Sequence, residues 1–216
     1  MIIWRAGRRH PGIRIRVPSN RYSERLPPVA APPGRELPDG FVEVWRPWNC
    51  CRSLRDGGTN LEAHWRHDPD AVFANQRDGT LTAREDRGGL TVEIVLDPGD
   101  PVHLEYFGAV ASGRVAGASF HFDVLPGGEC WTTLPGGVPL RELLDIRVLH
   151  VAPIEAGAYA FAEAQAIVVE RPGLDALGPI FQQRRLEQLE RRRYPSVQDR
   201  GRRLQWLTFM HRLTAA

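Results

Sequence analysis

Two alternating runs on either side of a glycine turn, Gly79–Asp86 and Leu90–Leu96 joined by Arg87-Gly88-Gly89, constrain this chain more than any other feature. Successive strand side chains point to opposite faces, and a short glycine turn folds two such runs into an antiparallel hairpin. A core built on that hairpin is a β core, and other stretches offer it partners. Phe41–Trp45 alternates and stops at Pro47, Val115–Val124 alternates throughout, and Leu140–Ala152 contains a long strand. Ala158–Val169 is mostly apolar and fits either element type, whereas the pattern is lost from Trp48 to Asn60, with a turn at Gly57-Gly58. One helix interrupts the strands. Asp100 followed by Pro101 is an N-cap and first-turn pair, Leu104, Phe107 and Ala111 form an apolar stripe, and Gly113 ends it.

At 216 residues the chain can bury one good core with appendages. Pro18, Pro27, Pro28, Pro32, Pro33 and Pro38 exclude a helix near the start and leave few ladder donors, which predicts a linker or extended wrapping segment. Beyond Pro172-Gly173, Pro179 opens a helix over Ile180–Tyr194, Pro195 stops it, and Leu204, Leu207 and Met210 suggest a second short helix. The predicted division is a basic arm over 1–40, a β-barrel domain over 41–170 and a basic helical tail over 171–216.

The formal charge of +2 conceals an asymmetry. Residues 1–26 carry a net +6, residues 27–181 a net −10 and residues 182–216 a net +6, with every cation an arginine. An acidic body wearing two basic arms points either to solvated surface or to attachment to an acidic partner. Nucleic acid is the poorer partner, because an acidic body repels phosphate and no recognition helix or stacking motif is evident. No Gly-rich loop followed by Lys supports nucleotide binding. Three cysteines, Cys50, Cys51 and Cys130, make neither a disulfide framework nor a zinc pattern, which predicts a reducing compartment. No apolar run approaches a membrane span.

Chemistry concentrates in Val115–Val124. Ala116, Ala118, Phe120, Phe122 and Val124 share one face, expected to be core; Val115, Gly117, Ser119, His121 and Asp123 share the other. Gly117 leaves space beside Ser119, a hydroxyl nucleophile candidate that needs a base from elsewhere. His64 and His67 stand three apart, a spacing that lets two histidines share an ion, although no third ligand lies nearby. His150 ends the row Leu144, Ile146, Val148, where a satisfied core histidine and a catalytic one are both open readings.

The order of short motifs over residues 61–159 resembles the prohead maturation proteases of tailed bacteriophages, relatives of the herpesvirus assemblins. The matching pieces are His64–Asp68, Gly79–Leu81, Glu85-Asp86 with Gly89-Leu90, Gly113–Phe122, Arg141–Leu143, and Leu149–Ala152 with Ala158-Tyr159. The resemblance implies a mainly β (α+β) fold, an assemblin-like mixed β-barrel with flanking helices and a helical C-terminal tail. It implies a serine endopeptidase that cleaves scaffold or capsid-protein arms inside the prohead, in the bacterial cytoplasm, without cofactor or metal. His67 is then the base, Ser119 the nucleophile and His150 the third member, with Arg141 a candidate supporting cation. His121 stands where the family has a small residue, and either obstructs substrate or replaces His150 as the partner of His67. The implied partners are the major capsid protein and scaffold protein, with a possible homodimer and no membrane. A protease fold that has lost activity and serves as an assembly protein is the alternative.

Overall fold

Ile13, Ile15 and Val17 are fully buried and alternate with arginines, and they form the first strand, β1 (Arg9–Pro18). The computed structural model describes residues 9–23, 40–55, 60–155 and 159–193. The next elements are β2 (Val42–Trp45), the short helix α1 (Cys51–Arg55), β3 (Glu62–His64), a 3₁₀ turn (Trp65–His67) and β4 (Val72–Asn75). Then come the hairpin β5 (Leu81–Asp86) and β6 (Gly89–Val95), helix α2 (Pro101–Ala111), β7 (Gly117–Val124) and β8 (Glu129–Thr133). The chain continues through β9 (Pro139–Leu143), β10 (Ile146–Ile154), β11 (Glu163–Glu170), a second 3₁₀ turn (Leu174–Leu177) and α3 (Gly178–Arg193). None of the described helices is long and apolar enough to cross a membrane.

Eight strands form one mixed sheet in the order β4-β3-β10-β7-β11-β1-β6-β5, and β2-β9-β8 form a second sheet. The two edges of the eight-stranded sheet, β4 and β5, are consecutive in the chain. The loop between them is stitched to neighbours on both sides: Gln76 N–H donates to Leu61 O (2.9 Å) and Val95 N–H to Thr80 O (2.8 Å). The sheet therefore nearly closes into a barrel with flanking helices and a C-terminal helical segment, as the resemblance implies. The small sheet caps it, with Trp45 of β2 edge-on to Phe120 of β7 at 4.7 Å and both rings buried. Truncating either ring to Ala is expected to cost about 3–5 kcal/mol.

β1 falls in the stretch read from sequence as a linker or extended wrapping segment, and the first strand is not Phe41–Trp45. It is an inner strand, antiparallel to β11 on one side and β6 on the other. Pro11 and Pro18 do not prevent this, because the buried row Ile13, Ile15, Val17 lies between them. At the tip of the β5–β6 hairpin, a Cβ on Gly89 would lie 2.1 Å from Val17 O, so this turn must be glycine for β1 to pass. The charge asymmetry has an intramolecular outlet. Arg9 and Arg14 pair with Glu170 (2.5 Å) and Glu93 (2.8 Å), and Arg184 and Arg185 of α3 with Asp78 (2.5 Å) and Asp97 (3.4 Å). Phe181 packs with Leu174, Leu177, Val95 and Val169, anchoring α3 to the body. The second tail helix read at Leu204–Met210 lies outside the described residues.

Three local readings need correction. Helix α2 is capped as expected, with the Asp100 side chain accepting from Val102 N–H (2.9 Å), but its buried face is His103, Tyr106, Ala109 and Val110. Leu104 is exposed. Nearly every position of this helix is apolar, so the choice fell to His103, whose Nδ1 accepts from Asp97 N–H (3.0 Å), and to Tyr106. The long strand in Leu140–Ala152 is β10, but Leu144 is not on its row, because Leu144 and Asp145 turn out of β9, both donating to Gly128 O (2.8 and 3.0 Å), before β10 begins. The strand carrying Ser119 begins at Gly117; Val115 ahead of it is buried and Ala116 exposed, the reverse of the expected alternation.

Candidate active site

The face of β7 that carries Ser119 meets the matching face of β10 in a fixed register: Ser119 opposite Ala152, His121 opposite His150, Asp123 opposite Arg147. The other face pairs Phe120 with Val151 and Phe122 with Val148. Val148 and His150 are two apart, yet they lie on opposite faces. The register shifts between them, so Leu149 is the extra residue of a β-bulge, and the bulge turns His150 out of the row Ile146, Val148. The sequence reading that placed His150 on that apolar row is corrected here. Strict alternation does not survive an inserted residue.

His67 arrives from the other side. β3 runs parallel to β10, with Glu62 level with His150, and leads straight into the 3₁₀ turn. Arg66 (φ 53°) and His67 (φ 63°) both occupy the left-handed region, which costs a non-glycine residue about 1–2 kcal/mol. Several contacts hold the turn against that cost. Trp65 N–H donates to Ala71 O and Asp68 N–H to Trp65 O, each at 3.0 Å. The Trp65 ring stacks on Tyr106 of α2 at 4.1 Å, and Arg66 forms an ion pair with Glu155 beyond the end of β10. The strained turn aims His67 at β10, where its Nδ1 lies 2.8 Å from His150 Nε2.

Two more rings complete a layer of four histidines. His64 stacks on His150 at 4.2 Å with the planes 4° apart, and His121 stacks on its register partner His150 at 5.2 Å and 8°. Burial lowers the His67 pKa to about 4, with the neighbouring His64 and His121 adding to the shift. The same causes, burial first and then His64, His67 and His121, bring His150 down to about 2. His121, the most exposed of the four, is also pushed down by its packed side, against the pull of Asp123. The pair His67–His150 is therefore neutral at physiological pH, and a neutral His67 has one ring nitrogen free to take a proton.

Of the residues singled out in the sequence, His67 and His150 are hydrogen-bonded, and Ser119 and His121 share their face of the sheet. Among the described residues the Ser119 hydroxyl makes no hydrogen bond to either ring. Arg141 is engaged elsewhere: it bridges Glu129 (2.7 Å) and Glu43 (2.9 Å) in the small sheet, and its guanidinium lies over the Trp131 ring. His64, weighed in the sequence as a metal ligand with His67, instead bonds Glu62 Oε2 through Nε2 (2.9 Å). Sequence reasoning missed its place against His150, although the parallel β3–β10 register that creates it involves strands far apart in the chain.

β7 offers one more feature. It is paired with β10 along its whole length, but with β11 it pairs only at Gly117 with Glu163. Beyond Ala118, whose N–H donates to Ala162 O, the second edge of β7 has no strand partner among the described residues. A run of main-chain donors and acceptors beside Ser119 is a template for an extended peptide.

The model of one family, described as Caudovirus prohead serine protease, matches residues 35–173. β1 and α3 lie outside that stretch, although β1 is an inner strand of the barrel. No curated protein and no solved structure matches the chain.

Proposed function

This chain belongs to the Caudovirus prohead serine protease family, and from that premise we propose that it is a serine endopeptidase acting through Ser119, His67 and His150. The observation that carries the reading is the 2.8 Å contact between His67 Nδ1 and His150 Nε2 on the face of the sheet that bears Ser119. With His67 donating its Nδ1 proton to His150, its Nε2 is left as the base. Nε2 takes the Ser119 proton while Oγ attacks a peptide carbonyl. The resulting imidazolium then protonates the leaving amine, and water, activated by the same nitrogen, hydrolyses the acyl-enzyme. His150 orients and polarises His67 as the third member of the triad, but as a neutral ring it supplies no full negative charge, so turnover is slow. Slow chemistry suffices where enzyme and substrate are confined together at high effective concentration.

The substrate is an extended polypeptide, supported by the unpartnered edge of β7 beside Ser119. Family membership makes capsid maturation the context, with the arms of the major capsid protein or of scaffold protein as the substrate segments, cut inside the prohead. Homodimerisation belongs to the same proposal. A second reading, a protease fold kept only for assembly, is favoured by one observation: the Ser119 hydroxyl is not hydrogen-bonded to His67 among the described residues. Co-expression with the major capsid protein separates the two. Intact masses of both chains are compared for the wild type and Ser119→Ala. Trimming that disappears in the variant supports the protease; unchanged masses in particles that still assemble support the second reading.

A further inference from the structure

We propose that Glu62 and His64 form a positioning pair that holds His150 against His67. The inference rests on the protease reading for its role in catalysis but on geometry of its own. His64 is buried, and its ring lies almost parallel over that of His150, 4.2 Å away. Its Nε2 is tied to Glu62 Oε2 at 2.9 Å, which fixes the ring plane. Glu62 is level with His150 in the β3–β10 register, so the carboxylate, the His64 ring and the His150 ring are set by the same pair of strands. The His64 Nδ1 is buried without a hydrogen-bond partner, so this nitrogen has no structural bond to explain its presence. A Leu or Phe at this position would fill the same space without that unsatisfied atom.

The bulge at Leu149 makes such support necessary. It frees His150 from the row Ile146, Val148 but leaves its ring on an open face, with His121 on one side only. His64 supplies the other side. A ring stacked between two parallel rings has its plane fixed, and Nε2 then stays on the line to His67 Nδ1. His64 also acts on the protons of the pair. A proton on His67 or His150 before substrate binds would remove the base, and His64 opposes protonation of both. Arg147 lies opposite Asp123 in the β7–β10 register. Arg66 is paired with Glu155; Asp123, next to His121 on β7, acts on His121; and Asp68 accepts from Asp70 N–H (2.9 Å).

The test uses the full chain with Ser119-dependent cleavage as one readout and NMR titration of the His67 ring as another. His64→Phe keeps a flat ring over His150 but removes the ionisable nitrogens; His64→Ala removes both; Glu62→Gln replaces the charged acceptor of the ring N–H by a neutral one. The expected result for His64→Ala is a fall in kcat on the order of tenfold with little change in KM. In both His64 variants the acid limb of the pH profile and the His67 titration should move to higher pH, and His64→Phe should recover most of the kcat. Glu62→Gln should give a smaller kcat loss. A folded His64→Phe whose His67 titrates where the wild type does overturns the inference. Absence of Ser119-dependent cleavage in the wild type overturns the protease reading instead, and the titration still decides whether His64 controls His67.

Discussion

The histidine layer on the large sheet and the Glu43–Arg141–Glu129 bridge in the small sheet both bury ionisable groups, but they bury them in opposite ways. The histidines are groups of one kind without a bound counter-charge in contact with the His67–His150 pair, and burial drives both pKa values down. In the bridge, one guanidinium faces two carboxylates. Glu43 is almost completely buried, and burial raises its pKa to about 7 although Arg141 pulls the other way. The first arrangement leaves a proton acceptor ready and unsatisfied; the second ties β2, β8 and β9 together through charge-assisted hydrogen bonds. A layer of like ionisable groups with lowered pKa values is a candidate for chemistry, whereas a guanidinium bonded to two carboxylates fits the role of scaffold.

Substitution should separate them sharply. His67→Ala removes the proposed base, and Ser119-dependent trimming should slow by about 10³-fold or more with the melting temperature little changed. Intact-mass time courses check this; trimming at wild-type rate would assign His67 to the scaffold. Arg141→Ala leaves the buried Glu43 without its guanidinium partner, and should cost about 3–5 kcal/mol of stability in denaturant unfolding. A loss of cleavage per folded molecule larger than the loss of stability would return Arg141 to the role of supporting cation.

The two regions also respond to pH with opposite sign. His67 and His150 are lowered from 6.5, so as the pH falls below that value the unfolded chain takes up protons the folded one refuses. Their effect is a loss of stability on acidification, complete for His67 only below about pH 4 and for His150 below about pH 2. Glu43 is raised from 4.5 to about 7, so the folded chain holds its proton where the unfolded one has lost it. Its contribution is full below 4.5 and is lost as the pH rises through about 7. Glu43→Gln should therefore gain in melting temperature relative to wild type between about pH 5 and about pH 8. A difference that does not change with pH would mean that Glu43 is ionised throughout.

Much of the fold was legible because it rests on local signals. The β5–β6 hairpin, the Asp100-Pro101 cap and the strand of Ser119 each declare themselves within a dozen residues. β1 had a signal too, in the buried alternation Ile13, Ile15, Val17, but the surrounding arginines and prolines concealed it. The candidate site was legible as residues and not as geometry. His67, Ser119, His150 and His121 could be picked from motif order, while the bulge at Leu149 that turns His150 toward His121 adds one residue with no turn or glycine to announce it. The His64–His150 stack depends on a parallel pairing between strands far apart in the chain, which no local pattern encodes.

The most direct test of the face formed by Ser119, His67 and His150 is covalent labelling with a fluorophosphonate, which reacts with an activated serine, followed by peptide mapping. The expected result is a single modified residue, Ser119, with labelling lost in His67→Ala and slowed in His150→Ala. Labelling at another serine, or at Ser119 with equal rate in all three proteins, would contradict it.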